Sequence, residues 1–352
     1  MSDNSINLTN QTEEIVEGHK LDFVGTTSEL FPVVLKNLLF TILTFGIYRF
    51  WAKTNIRKYL WNKTRIDGEI FIYTGTGGEL FLGALIVFFV FILPLFFALG
   101  YINLNYPTIA PFITLLLYPV FIFLIGVALY RAQVYRMSRT YFRGIRGAQM
   151  KGSLAYGWLA LKYAILYFLT LGLTAPYIIC KMWNFVMNNK RFGSGVFKSE
   201  VKSKPLFKIW IITYVATIVI FGGFFVIVID AFTTQNVPVI IFSYLFLFIA
   251  SAVIFAWFKT ALYNHLLSSL KFQNVSFKFN LSPVKYILFS FKNTLIIIFT
   301  FGLGAPFVMQ RWVRLFCEEI KIIGHVDFST ISQSPETGPE FGEGLVEAID
   351  LG

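Results

Sequence analysis

Lys36-Asn37-Leu38-Leu39-Phe40-Thr41-Ile42-Leu43-Thr44-Phe45-Gly46-Ile47 decides how the rest of the chain is read, because it recurs. An apolar run carrying one lysine reaches Thr-Phe-Gly at Thr44 and Thr300, and Thr-Leu-Gly at Thr170. Ungapped shifts of 126 and then 130 residues superpose Lys36, Lys162 and Lys292, then Gly46, Gly172 and Gly302, and finally Arg65, Arg191 and Lys321. Three agreeing copies in one chain predict an internal repeat.

Beyond each glycine comes an apolar stripe at helical spacing: Ala52, Ile56, Tyr59 and Leu60, then Ile178, Met182, Phe185 and Val186, then Val308, Trp312, Leu315 and Phe316. Trp51, Tyr177 and Phe307 precede the stripes. The pattern predicts an amphipathic helix lying in the headgroup plane of a membrane, or docking a partner. Alternating segments flank the units: Lys20–Gly25, Thr140–Gly144 and Val275–Asn280 before them, Glu69–Thr74, Gly195–Glu200 and His325–Ser329 after them. Each unit thus reads as strand, apolar segment, glycine break, amphipathic helix, strand. The two flanking strands of each unit are expected to pair, giving three ribbons.

Composition assigns the class. The chain is 56% hydrophobic and 14% charged, against about 25% charged in soluble domains. Leu80–Leu99, Ile109–Tyr130, Ile209–Ile229 and Val239–Phe258 carry no charge, and each is long enough to cross a hydrocarbon core of about 30 Å. The expected fold is an α-helical polytopic membrane protein with three internal repeats, two transmembrane hairpins and short cytoplasmic β-strands. Its expected divisions are a disordered tail (1–19), repeat 1 (20–79), hairpin 1 (80–130), repeat 2 (131–205), hairpin 2 (206–258), repeat 3 (259–328) and a disordered acidic tail (329–352). No basic start or apolar core of a secretory signal marks the first 28 residues, so the N-terminal tail is expected in the cytoplasm, and four spans with re-entrant repeats put the C-terminus there too.

The net charge of +11 is unevenly placed: residues 1–28 carry −4 and residues 329–352 carry −5, leaving +20 between them. In a membrane chain such a surplus marks the cytoplasmic side. It does not indicate nucleic acid, since no recognition fold accompanies it. If the three repeats also cross, making seven spans, the basic segment 180–205 falls on the side opposite segments 49–79 and 131–157. If the repeats dip in and return, every basic segment is cytoplasmic, and only the nearly uncharged loops 100–108 and 230–238 lie outside. The second arrangement obeys the charge rule. Gly46, Gly172 and Gly302, with Pro176 and Pro306 four residues after the last two, give the returning turn its mechanism.

Thr44-Phe-Gly-Ile-Tyr-Arg-Phe-Trp-Ala-Lys53, Tyr59-Leu-Trp-Asn-Lys-Thr-Arg-Ile-Asp-Gly68, Tyr141-Phe-Arg-Gly-Ile-Arg146, Thr170-Leu-Gly-Leu-Thr-Ala-Pro176 and Asn188-Asn-Lys-Arg-Phe-Gly193 resemble the YjgN-like bacterial inner-membrane family, domain of unknown function 898. The resemblance runs from about residue 20 to about residue 325. It implies a bacterial cytoplasmic membrane and brings no activity, cofactor or catalytic residue. Phe50 stands where the family often has proline, which implies a softer first break.

Lys36, Lys162 and Lys292 are the sharpest functional candidates, because a charge within an apolar segment is costly. Near segment starts they read either as snorkelling residues or as a shared site for an anionic headgroup. Thr44, Thr170 and Thr300 lie on the same helix face, and their hydroxyls serve either the breaking backbone or a ligand. Gly75-Thr-Gly-Gly78 lacks the Gly-Lys-Ser/Thr of a phosphate loop and reads as a turn into the bilayer. His19, His265 and His325 lack metal-ligand spacing, so no metal or other cofactor is expected. Glu318-Glu319 reads as a solvated or salt-bridged face, and Cys180 and Cys317 as separate thiols. Nothing resembles a nucleophile with its base, so the chain reads as non-enzymatic. Two functions follow: binding or transport of an anionic lipid or amphiphilic anion from the cytoplasmic leaflet, or a scaffold docking a cytoplasmic partner through its basic face. Membrane lipids are the expected partners, with no nucleic acid.

Overall fold

The computed structural model describes residues 18–334. The predicted tails lie outside these except for residues 18–19 and 329–334. Ten helices are arranged as five antiparallel pairs: α1 (Thr27–Leu43) with α2 (Arg49–Lys63), α3 (Gly77–Asn105) with α4 (Ala110–Ser138), α5 (Ser153–Leu169) with α6 (Ala175–Asn188), α7 (Lys204–Thr233) with α8 (Val237–Ser268), and α9 (Pro283–Phe299) with α10 (Ala305–Glu319). The second and fourth pairs are long. Their four helices have 29 to 32 residues and are apolar enough to cross a membrane. They extend beyond the charge-free runs into sequence containing Arg131, Lys208 and Lys259, because helical pairing continues past the apolar stretch.

Local chemistry starts these helices. Thr26 and Glu29 form a capping box on α1, and Thr76 with Glu79 repeats it on α3. The Gly75–Gly78 stretch is therefore a helix entry. Gly77 is required there because a Cβ would come within 2.5 Å of the Trp51 ring. In α3 a π-helical segment, Phe88–Ile92, precedes Pro94 and absorbs the missing proline N–H.

Between the helical pairs the chain makes β-hairpins: β1 (Leu21–Phe23), β2 (Thr64–Ile66), β3 (Glu69–Tyr73), β4 (Thr140–Phe142), β5 (Ile145–Gln149), β6 (Lys190–Phe192), β7 (Gly195–Ser199), β8 (Leu270–Phe272), β9 (Val275–Phe279) and β10 (Ile320–Ile323). Two-residue turns at 67–68, 143–144, 193–194 and 273–274 join β2–β3, β4–β5, β6–β7 and β8–β9. Asp67 with Gly68 and Arg143 with Gly144 take positive φ, matching the right-handed twist of tight hairpins. All ten strands form one antiparallel sheet in chain order. Its ends also approach, with the Gly18 N–H donating to Ile322 O at 3.0 Å.

Two expectations are corrected here. The strands do not form three separate ribbons; each unit's flanking strands pair with newly revealed neighbours, such as β2 between β1 and β3. His325–Ser329 is not a strand: β10 ends at Ile323 and a 3-10 turn covers Phe328–Thr330. Residues 324–334 cross the mouth of the strand ring instead. Val326 and Ile331 bury themselves beside Phe272, Val275 and Ile322, and the Phe328 ring lies 5.3 Å from Phe142.

The helices α2, α6 and α10 also sit differently from a helix lying flat at a surface. Each is the return arm of its pair. Lys63 at the end of α2 bonds Glu29 at the start of α1 at 2.8 Å, Tyr156 of α5 meets Phe185 of α6, and Lys285 of α9 binds Glu319 of α10.

Candidate functional site: a chamber above the strand ring

The three breaks share one backbone. Phe45, Leu171 and Phe301 have φ near 50°, and Gly46, Gly172 and Gly302 have φ between 85° and 89°. Each glycine N–H donates to the carbonyl five residues back, at Thr41, Tyr167 and Ile297, each at 2.8 Å. This is a Schellman turn with a bulky residue in the left-handed position usually given to glycine. The first break has the same form as the others despite Phe50. The turn is made by residues 44–46, while Pro176 and Pro306 serve only the first turn of the following helix.

Thr44, Thr170 and Thr300 are committed to this backbone. Their hydroxyls donate to Phe40 O, Leu166 O and Ile296 O, while Thr44 and Thr300 also accept from Tyr48 N and Gly304 N. Lys36, Lys162 and Lys292 are exposed on the outer faces of α1, α5 and α9, next to the buried Asn37, Tyr163 and Asn293. They are not brought together. Helix α1 packs on α2 and α10, α5 on α4 and α6, and α9 on α8 and α10. Among the described residues, none of the three lysines has an ion-pair partner; Lys162 lies over the Tyr163 ring at 5.9 Å.

A different lysine faces inward. Between the sheet and the sheet-proximal ends of α4, α6, α8 and α10 lies a cavity of about 630 Å³. Its walls include Trp183, Met187, Phe197, Tyr263, Trp312 and Phe316, and the one charged side chain lining it is Lys190 on β6. Strand alternation explains the placement. Lys190 and Phe192 share the inner face, and Phe192 packs against the buried cluster, while Arg191 points the other way. Gln149 on β5 stands directly opposite Lys190, so the two side chains leave the sheet on the same face.

Polar groups here are incompletely satisfied. The Lys190 ammonium has neither a hydrogen bond nor an ion pair among the described residues. Both polar atoms of Gln149, a residue only 5% exposed, lack partners, as does the Trp183 indole N–H. An unpaired buried polar group costs roughly 1–3 kcal/mol, and the orphaned Gln149 amide and Trp183 indole lie near the one charged side chain on the cavity wall. Burial pushes the Lys190 ammonium down to about 8, and the nearby Arg136 charge adds to the effect. Lys190 is half-buried, and part of its surface lines the cavity.

No group of three or more His, Cys, Asp or Glu suited to a metal ion occurs among the described residues. His19 and His325 stack at 4.6 Å, and His265 lies apart, bonding Lys202 O. Glu318 and Glu319 both pair with Lys285. Cys180 and Cys317 are buried free thiols. Sequence reading passed over Lys190, Gln149 and Trp183. Lys190 sits in a Lys-Arg doublet that looks like surface charge until β6 is recognised as a strand with an inner face.

The family model described as a bacterial protein of unknown function, DUF898, matches residues 18–348. Over 167 residues the chain is 33% identical to the "Inner membrane protein YjgN" of Escherichia coli K12, covering 47% of this chain and 40% of that relative. It is 38% identical over 77 residues to the protein of the same name from Salmonella typhimurium, covering 22% of this chain and 20% of that one. The matched parts thus span two fifths or less of these relatives' lengths. No solved structure matches.

Proposed function

The chain belongs to the DUF898 family of bacterial proteins, and we propose, from its chamber around Lys190, a non-catalytic, multi-pass inner-membrane protein that holds an amphiphilic anion there. The observation that carries this reading is a cation without a counter-charge in an otherwise apolar cavity, beside the unpartnered amide of Gln149 and indole of Trp183. Such a site suits a molecule with one anionic end and an apolar body. The volume, about 630 Å³, lies within the range of roughly 300–1,000 Å³ that accommodates drug-sized ligands, which favours a single-tailed amphiphile.

Access from the cytoplasmic leaflet fits the arrangement of the helices. Both ends of every helical pair meet one continuous sheet, which supports a single membrane side for that sheet. The long pairs then cross and return, while the three short pairs re-enter. Lys36, Lys162 and Lys292 are each the tenth residue of their helix, and Lys259 is the tenth from the sheet end of α8. A common level for these charges marks the headgroup boundary. From there to the breaks is eight residues, about 12 Å of helix, against about 15 Å for half a hydrocarbon core. The exposed lysines then hold anionic headgroups around the short pairs, leaving the enclosed ligand to Lys190. Basic residues crowd the sheet side, and the uncharged loops 106–109 and 234–236 lie opposite, which favours a cytoplasmic sheet and termini.

Docking of an acidic cytoplasmic partner has one specific observation in its favour. On the outer face of the sheet, Lys198 stands opposite Lys271, a pairing of like charges that an anionic surface would relieve. Loss of Lys190 would leave that activity intact, so one assay separates the readings. In phosphatidylcholine nanodiscs, native mass spectrometry with decanesulfonate should count one bound anion on the wild type. Lys190→Met should reduce occupancy at least tenfold, and Lys36/Lys162/Lys292→Ala should leave it unchanged. Equal binding by wild type and Lys190→Met would overturn the chamber reading.

A further inference from the structure

Lys190 meets two different environments as the chamber fills. Gln149 on β5 is its strand partner, and the cavity it lines is also walled by Trp183 and Met187 on α6, Phe197 on β7, Tyr263 on α8 and Trp312 on α10. The titratable or charged groups among those facing it are Arg136 of α4 and the neutral phenol of Tyr263. No carboxylate lines the cavity. While the chamber is empty, a charge on Nζ is desolvated and repelled by Arg136. An anion arriving in the chamber reverses both penalties.

Resting on the anion-binding reading above, we propose that the chamber takes up its anion together with a proton, and that Lys190 Nζ is the atom that gains it. The nitrogen lone pair accepts one proton from hydronium or a buffer acid, forming an N–H bond as the donor's bond to that proton breaks and leaves its conjugate base in solution. The complex is then electrically balanced, an ammonium beside an anion. Arg136 cannot supply the proton exchange, since a guanidinium stays charged in proteins. The empty-chamber value of about 8 for Lys190 sets the range in which the uptake is measurable. An opposite charge within about 4–6 Å favours the charged form and raises that value, so the loaded state stays protonated above it. Free anion and proton therefore promote each other's binding, as linkage requires. In a membrane carrying a proton gradient, the same coupling would make anion occupancy respond to pH on the sheet side.

Titration calorimetry tests this with decanesulfonate, which carries a permanent charge and no titrating group of its own. Binding to the wild type in phosphatidylcholine nanodiscs is measured in two buffers of different ionisation enthalpy, at pH 7, 8 and 9. The proposal expects little uptake at pH 7, about half a proton per anion at pH 8 and close to one at pH 9, as a group titrating at about 8 gives. Affinity should fall by about tenfold per pH unit once pH is well above 8. Lys190→Arg, fixed in the charged state, should still bind and show no uptake. Lysine-dependent binding with no proton taken up at pH 8 and 9 would overturn the coupling and leave the anion site standing. Binding that is indifferent to Lys190→Met would overturn both. The wild-type proton count is decisive even if a variant fails to fold.

Discussion

At the scale of the residue, the chain spends conformational strain where it turns and burial where it holds charge. Phe45, Leu171 and Phe301 occupy left-handed backbone that costs about 1–2 kcal/mol for a residue with a Cβ. They are also 99%, 76% and 95% exposed at the tips of the short pairs. In the re-entrant arrangement proposed above, lipid contact at those tips offsets the strain. The following glycine has no such offset. Gly302 has open space around it, so Gly302→Ala isolates the backbone term and should destabilise by about 1–2 kcal/mol. Thermal unfolding in nanodiscs checks this, and an unchanged midpoint would mean that the turn relaxes at no cost. The glycines were legible in the sequence because a repeated Thr-Phe-Gly after an apolar run has one structural use. Lys190 was not, because its meaning depends on which face of a three-residue strand it occupies.

At the scale of the element, hairpins that sequence periodicity could not resolve organise the molecule. The four long helices and five of the predicted strand segments were readable, since apolar length and strict alternation are local signals. Thr64–Ile66, Ile145–Gln149, Lys190–Phe192, Leu270–Phe272 and Ile320–Ile323 were missed, and in Ile145–Gln149 Gly147 interrupts the alternation. Short apolar helices also conceal their partner. The predicted surface helices return along α1, α5 and α9 because polar side chains hold the pairs together, as Asn55 to Asn37 at 2.9 Å and Arg311 to Asn293 at 2.7 Å illustrate. The crossing strap at 324–334 is held differently. His19 accepts the Val326 N–H on Nε2 at 3.0 Å and therefore carries its proton on Nδ1, which donates to Asp67. Asp67 also accepts from the Lys20 N–H. Removing the imidazole leaves the Val326 amide without its acceptor. His19→Ala should speed hydrogen exchange at Val326 at least tenfold, the equivalent of about 1.4 kcal/mol. An unchanged rate would show that Phe328 and Ile331 alone hold the strap.

At the scale of the whole molecule, one sheet connects five helical pairs, and this continuity links membrane topology to the chamber. In the proposed arrangement the sheet keeps all its hairpins on one membrane side, and loops 106–109 and 234–236 occupy the other. Single cysteines at Ser194, at Asn274 and at Gln235, in a chain lacking Cys180 and Cys317, report on this with a membrane-impermeant thiol reagent applied to intact spheroplasts. The account predicts labelling of Gln235→Cys without lysis, and of Ser194→Cys and Asn274→Cys only after lysis. Labelling of Ser194→Cys in intact spheroplasts while Asn274→Cys stays protected would place two hairpins of one sheet on opposite sides and contradict it.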